Sequence, residues 1–219
     1  SAILDNVNES QCYDDGTTYY RNENYQQAIN SFTKCLNKDQ NHHKSRFSKS
    51  WSHYFLGDYS IALTDANTLI KKRGNAGDYN LRGWVHYRLS KSKKAIADFT
   101  TAISKGRNDS QVYIGRAWSY YADKKYYNAI RDFTKAIDLE PELHDAWYGR
   151  ALARFDSGNP SSALSDMSKA IKLDSLNSEY FFMRGKIFLS MNNLRNACKN
   201  WRKASVLQHP RADYYILIY

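Results

Sequence analysis

The sequence has 219 residues and a formal net charge of +10, and 15% of its residues are aromatic, with 18 Tyr and 5 Trp among them. No run of about 18 apolar residues occurs, so the sequence predicts no membrane-spanning helix. The basic residues are scattered, and their densest clusters, at 71–73 and 91–94, fall at predicted helix ends or turns. This distribution favours a solvated basic surface over a nucleic-acid track.

The three cysteines, Cys12, Cys35 and Cys198, form no CxxC pair and no metal-ligand spacing. This pattern favours reduced thiols, with Cys35 packed as a small apolar residue. A disulfide between Cys12 and Cys35 across the first helical hairpin is the alternative. No signal peptide is visible, and the chain begins at Ser1 rather than Met, so the compartment is left open with the cytoplasm slightly favoured.

After a predicted N-terminal tail at 1–8, two columns of small residues recur along the chain. The first is an alanine that returns every 33 or 34 residues, at Ala28, Ala62, Ala95, Ala129, Ala163 and Ala197. The second lies twelve residues earlier, at Gly16, Ser50, Gly83, Ala117, Ala151 and Gly185. Because small residues let helices touch, this period predicts six helix-turn-helix repeats. Their bounds are 9–42, 43–75, 76–109, 110–143, 144–177 and 178–211, and 212–219 is predicted to be an apolar C-terminal capping helix.

Each repeat also carries large residues at regular distances from the two small columns. In the fourth repeat the large residues are Tyr120 and Phe133. The small residues Ala129 and Ala136 lie on the same helix face as Phe133, and Pro141 closes the repeat. The pattern resembles the tetratricopeptide repeat over most of the chain. The resemblance implies an all-α fold, a right-handed α-solenoid of stacked antiparallel helix pairs. The last repeat, around 197–204, is similar to closing repeats of some bacterial members of the family, which favours a bacterial source.

A charged pair recurs inside the repeats, with a basic residue just before the small column and an aspartate three residues after the alanine. A partly buried arginine is costly unless it is paired, so we expect bidentate Arg–Asp contacts. The pairs predicted to be structural are Arg82 with Asp98, Arg116 with Asp132, and Arg150 with Asp166. The last repeat keeps Arg184 but has Asn200. An anion-binding ladder is the alternative.

The resemblance implies that the first helices line a concave face, where this chain places many aromatic residues. Those predicted to bind a ligand are Tyr13, Tyr20, Phe47, Trp51, Tyr54, Trp84, Tyr87, Trp118, Tyr121, Tyr148 and Phe155. Aromatic rings give a large contact area at low entropic cost and suit extended, proline-rich segments. We therefore expect a non-catalytic scaffold or adaptor that binds a protein or peptide in an aromatic-lined groove. The alternative is that the rings only stack on one another and stiffen the solenoid.

Other functions have weaker support in the residues. Stacking rings in a basic groove suit single-stranded nucleic acid or a glycan, but no continuous row of Lys or Arg accompanies the rings. A structural role through the apolar 212–219 segment, with a homo-oligomer as its result, is a third hypothesis. His53 and His86 occupy equivalent places and are expected to replace tyrosines in the packing rather than bind a metal. The sequence therefore predicts no enzyme, no catalytic residue, no cofactor and no metal.

Overall fold

A computed structural model describes the backbone of residues 2–219 and the side chains of residues 11–219. The described residues form α-helices joined by short turns, with no β-strand among them, which confirms the predicted all-α class. The chain divides into two compact units, Ser1–Arg107 and Asn108–Tyr219.

The first unit consists of three antiparallel helix pairs. Its helices are α1 (Ala2–Arg21), α2 (Tyr25–Lys38), α3 (His43–Leu56), α4 (Tyr59–Lys72), α5 (Ala76–Arg88) and α6 (Ser92–Ser104). Each helix packs on the next one along the chain. Because α1 begins at Ala2, the predicted tail at 1–8 overlaps this helix, and the side chains of those residues lie outside the described part.

The second unit continues the same pattern with three further pairs and one short helix. Its helices are α7 (Ser110–Ala122), α8 (Tyr126–Leu139), α9 (His144–Asp156), α10 (Pro160–Leu173), α11 (Ser178–Ser190), α12 (Leu194–Val206) and α13 (Ala212–Ile218). Helix α13 packs on α12, where the Tyr215 ring lies 5.0 Å from each of the rings of Phe182 and Trp201. Its outer side is open, since Leu217 is 84% exposed.

The second helix of every pair buries the predicted stripe. All six alanines of the first column are fully buried, and so are the residues four positions later, which are Phe32, Ala66, Phe99, Phe133, Met167 and Trp201. The small column explains how the helices come so close. A Cβ atom added at Gly83 would lie 2.8 Å from the Phe99 ring, and one at Gly185 would lie 2.3 Å from Trp201. These contacts are shorter than van der Waals distance, so the small residue is required by packing.

A left-handed residue lies in the turn inside every pair. The residues with positive φ at this place are Glu23, Gly57, Ser90, Lys124, Gly158 and Asn192. Only two of them are glycine, so the other four accept a modest backbone cost to end the first helix. The turn geometry therefore comes from the packing of the two helices rather than from glycine alone.

The first pair also carries a covalent link that corrects the expectation of reduced thiols. Cys12 of α1 and Cys35 of α2 form a disulfide, with Cα atoms 5.7 Å apart. Both residues are buried, at 7% and 2% exposure. Antiparallel packing brings α1 and α2 together at this level, which places the two cysteines face to face. Cys198 is a free thiol.

Candidate functional site

The aromatic residues predicted to face a groove lie on the first helices of the pairs, and most of them are half-buried. In the first unit these are Tyr13, Tyr20, Phe47, Trp51, Trp84 and Tyr87, and in the second unit Trp118, Tyr121, Tyr148 and Phe155. A half-buried ring is held by the protein on one side and leaves the other side available for contact. Contacts with the core therefore fix the positions of these rings and leave part of their surface exposed.

Two tryptophans share the same support. The Trp84 ring lies edge-to-face on Phe99, with centroids 5.5 Å apart, and the Trp118 ring lies edge-to-face on Phe133 at 5.1 Å. Both phenylalanines are fully buried. Each tryptophan therefore rests on a core ring of its own helix pair, which fixes its orientation.

The second pair has Ala66 where the other two have phenylalanine, and its tryptophan is held differently. The Trp51 ring stacks on Phe55 with centroids 5.9 Å apart, and Phe55 stacks on Tyr25 at 5.0 Å. Phe55 is 49% exposed. The sequence pattern missed Phe55 and Tyr25, because Phe55 occupies a place that is polar or small in the other repeats. Tyr20 joins this cluster, and burial raises its pKa to about 12, with a smaller contribution from Tyr25.

Tyr54 differs from the expectation for a ligand-binding residue, because it is only 9% exposed. Its ring packs between Trp51 and Tyr59, with centroid distances of 5.2 and 5.7 Å. Arg88 lies 5.6 Å from the Tyr54 ring and 4.9 Å from the Tyr59 ring. Burial raises the pKa of Tyr54, although the Arg88 guanidinium opposes this effect. Tyr54 therefore belongs to the packing between α3 and α4.

A pocket of about 470 Å³ opens in the first unit beside two of the predicted residues, Tyr13 and Phe47. Further lining residues come from the starts of α3 and α5, and include His43, Lys44 and Gly77. Tyr13 is held by Phe32 and His42, at ring distances of 5.8 and 5.6 Å. The pocket therefore has aromatic walls from two first helices, and its lining also includes two lysines, Lys44 and Lys105, and the carboxylate of Asp78.

In the second unit the rings contact one another across neighbouring pairs. The Trp118 ring lies 6.2 Å from Tyr148, which in turn lies 4.8 Å from Tyr180. The Tyr148 hydroxyl donates to Glu179 at 3.4 Å. Burial raises the pKa of Tyr148, and the Glu179 carboxylate raises it further. These contacts are of the kind that the stiffening interpretation expects, as is the stack of Phe55 on Tyr25 between the first two pairs of the first unit.

The three predicted Arg–Asp pairs each form two hydrogen bonds in the structure. Arg82 donates to the two carboxylate oxygens of Asp98 at 2.9 and 2.7 Å. Arg116 donates to Asp132 at 2.6 and 3.0 Å, and Arg150 donates to Asp166 at 2.9 and 2.8 Å. Each pair joins the two helices of one hairpin. This bidentate geometry leaves little of the guanidinium charge for an external anion.

Two histidines also lie against aspartates. His86 lies 2.8 Å from Asp98, and His53 lies 3.2 Å from Asp58. Both histidines are buried, at 7% and 8% exposure, and each has an aspartate as its hydrogen-bond partner inside the packing. Among residues 11–219 no group of three His, Cys, Asp or Glu side chains is placed to hold a metal ion. Within the described helices, none combines the length and apolarity that a membrane crossing needs.

Beneath the arginines lies a second aromatic column that the sequence reasoning missed. Arg82 lies over Tyr79 at 5.6 Å, Arg150 over Trp147 at 4.8 Å and Arg184 over Phe181 at 5.5 Å, measured to the ring centroids. Every ring precedes its arginine by three residues, which is one helical turn and the available sequence signal. The rings support the guanidinium groups, which Asp98 and Asp166 bind in the pairs of Arg82 and Arg150 and Asn200 binds in the pair of Arg184.

Stacked antiparallel helix pairs with small residues against core rings define a helical-repeat protein. The chain belongs to the tetratricopeptide repeat family, whose models match residues 12–42, 80–144 and 114–178 and together cover more than half of the sequence. Tetratricopeptide repeats generally mediate protein–protein interactions, and proteins of this family are typically non-catalytic scaffolds. A comparison with the curated proteins finds no match.

Solved structures show the same fold. A tetratricopeptide repeat protein from Parabacteroides merdae ATCC 43184 is 22% identical with a TM-score of 0.72, covering 96% of this chain and 83% of that chain. PilW, a type IV pilus biogenesis factor, is 15% identical with a TM-score of 0.87, covering 95% and 98%. YrrB, a TPR protein with an unusual peptide-binding site, is 17% identical with a TM-score of 0.69, covering 84% and 96%. These likenesses confirm the α-solenoid fold class.

Proposed function

We propose that this chain is a non-catalytic scaffold and that its first unit binds an extended peptide segment of a partner protein. The segment lies along the half-buried rings of Tyr13, Phe47, Trp51 and Trp84. The observation that carries the proposal is the pocket of about 470 Å³ beside Tyr13 and Phe47, which accepts one apolar or proline side chain. The tryptophans then provide flat contact area for the residues that follow.

The support for this site comes from how the rings are held. Trp84 rests on the buried Phe99 ring, and Trp51 is stacked on Phe55, so both indoles are oriented before a ligand arrives. Pre-organised rings lose little conformational entropy on binding. One structural neighbour, YrrB, is described as a TPR protein with an unusual peptide-binding site. That description favours the same class of ligand here.

The experiment begins with a selection of random twelve-residue peptides on the intact chain, followed by fluorescence anisotropy with the tightest peptide. Trp84→Ala is expected to weaken binding by about 30-fold, which corresponds to about 2 kcal/mol. Trp51→Ala and Phe47→Ala are expected to act in the same direction.

Tyr127→Ala is the matched control, since Tyr127 of α8 is 80% exposed and lies outside the proposed site. Circular dichroism checks that each variant is folded. Unchanged affinity of the selected peptide for the Trp51, Trp84 and Phe47 variants would show that the groove is not the site.

A second candidate function is self-association through α13. It is favoured by the exposure of Leu217, Tyr214, Tyr219 and Ile218, at 84%, 63%, 51% and 50%. Such an apolar patch at the end of a repeat stack is a typical interaction surface. Sedimentation equilibrium of the full chain and of residues 1–211 tests it, because only the full chain is then expected to form dimers.

A further inference from the structure

The arginine of the last pair lacks the carboxylate that its counterparts have. Arg184 occupies the place of Arg150, and Asn200 occupies the place of Asp166. The Arg184 Nε donates to the Asn200 side-chain oxygen at 2.7 Å, while the Asn200 amide nitrogen donates to the Asn196 carbonyl at 2.8 Å. An amide offers one acceptor atom where a carboxylate offers two. The two terminal nitrogens of Arg184 therefore have no hydrogen-bond partner among the described side chains.

The Arg184 guanidinium is nevertheless held in place. It is half-buried and lies 5.5 Å from the centroid of the Phe181 ring. Burial lowers the pKa of Arg184, whereas for Arg116 the effect of burial is outweighed by Asp132, which raises the pKa. A partly desolvated cation without a carboxylate is electrostatically costly, and an anion that reaches it is attracted strongly.

Arg184 lines a pocket of about 580 Å³ between α11 and α12. Three more cationic side chains line it, Lys199, Arg202 and Lys203, and no carboxylate is among the lining residues. The remaining wall includes Val206, which is 74% exposed. The pocket therefore combines a concentrated positive charge with apolar surface.

We propose that this pocket binds a carboxylate side chain from an acidic segment of a partner protein. The carboxylate accepts hydrogen bonds from the two terminal nitrogens of Arg184, because the Asn200 oxygen already occupies its Nε. Asp166 differs in binding the Nε and one terminal nitrogen of Arg150. Neighbouring acidic residues of the segment pair with Lys199 and Lys203, and an apolar residue packs on Val206. This site shares no residue with the groove of the first unit, so each proposal can be tested independently of the other.

A carboxylate is favoured over a phosphate by the precedent inside this chain. In three other pairs an aspartate binds the arginine equivalent to Arg184, with hydrogen bonds between 2.6 and 3.0 Å long. An aromatic ring lies beneath each arginine, Arg184 included, at 4.8 to 5.7 Å from the ring centroid. In the sixth pair the Asn200 oxygen binds only the Arg184 Nε, so the terminal nitrogen that holds the second aspartate oxygen in the other pairs has no side-chain acceptor among residues 11–219.

The decisive variant is Asn200→Asp, which restores the internal carboxylate with almost no change in volume. The probe is a fluorescein-labelled hexapeptide of four glutamates and two leucines, followed by anisotropy at low salt. Asn200→Asp is expected to weaken binding at least tenfold while the melting temperature stays equal or rises. Asn159→Asp is the matched control, because it adds the same charge at the exposed N-cap of α10, outside the pocket.

If Asn200→Asp and Asn159→Asp weaken binding equally, the effect comes from the change in net charge alone and the proposal is overturned. The proposal is also overturned if the probe does not bind to the native chain. A single-stranded oligonucleotide of equal charge that binds as tightly, and is equally sensitive to Asn200→Asp, would overturn the choice of a carboxylate partner. Phe47→Ala is expected to leave the affinity for this probe unchanged, which separates the pocket from the groove of the first unit.

Discussion

The Trp84 indole lies edge-to-face on the buried ring of Phe99, with centroids 5.5 Å apart and planes at 81°. Phe99 thus belongs to the core and Trp84 to the candidate groove, and each ring fixes the orientation of the other. Edge-to-face pairs are worth about 1 kcal/mol beyond the area they bury. A double-mutant cycle with Trp84→Ala and Phe99→Leu, measured by urea unfolding, is therefore expected to give a coupling of about that size. Strictly additive effects would show that the two rings do not depend on each other.

The close approach of Gly83 to the same ring gives a second prediction. A Cβ atom at position 83 would lie 2.8 Å from Phe99, so Gly83→Ala is expected to destabilise the chain by about 1–3 kcal/mol. Combining it with Phe99→Leu gives the methyl group room and is expected to recover part of this loss. Urea unfolding of the single and double variants measures both effects, and a stabilising Gly83→Ala would contradict the packing argument.

The Cys12–Cys35 disulfide can be tested by counting thiols. The chain has 3 cysteines, so denatured but unreduced protein is expected to react with Ellman's reagent at Cys198 alone, and at all three after reduction. Three reactive thiols before reduction would contradict the bond. The two cysteines are 23 residues apart in the sequence, and the bond between them restricts the unfolded chain. Replacing both cysteines with alanine is therefore expected to lower the free energy of unfolding by about 3 kcal/mol.

Asp98 predicts a dependence of stability on pH. Burial tends to raise the pKa of Asp98, but hydrogen bonds from His86 and Arg82 outweigh it and lower the pKa. A carboxylate whose pKa is lower in the folded state stabilises the fold above its unfolded pKa of about 4, and this stabilisation is lost as the pH falls below that value. Asp98→Asn is expected to lose about 3 kcal/mol at pH 7 and less at pH 3. An equal loss at both pH values would rule out this linkage.

The repeating columns determined the fold class from sequence. Ala28, Ala95 and Ala129 mark places where two neighbouring helices touch, and this contact requires a small residue in every repeat. The requirement concerns only residues within one repeat or its neighbour, so the period of about 34 residues is visible in the sequence alone. The same holds for the arginine and aspartate columns, because both partners lie within one hairpin at constant separation. Which positions are apolar, small or charged therefore followed from the one-dimensional pattern.

Only the tertiary structure decided what each side chain contacts across helices. It joined Cys12 to Cys35, buried Tyr54 beneath Arg88, and stacked the exposed Phe55 on Tyr25. These outcomes depend on distances of a few ångströms and on rotamers, which residue spacing does not specify. The sequence determined that Asn200 replaces an aspartate, and the structure decided that this leaves a half-buried arginine beside three other cations in a pocket. Residue spacing predicts which positions share a helix face, and packing decides which side chains touch and which of their polar atoms lack a partner.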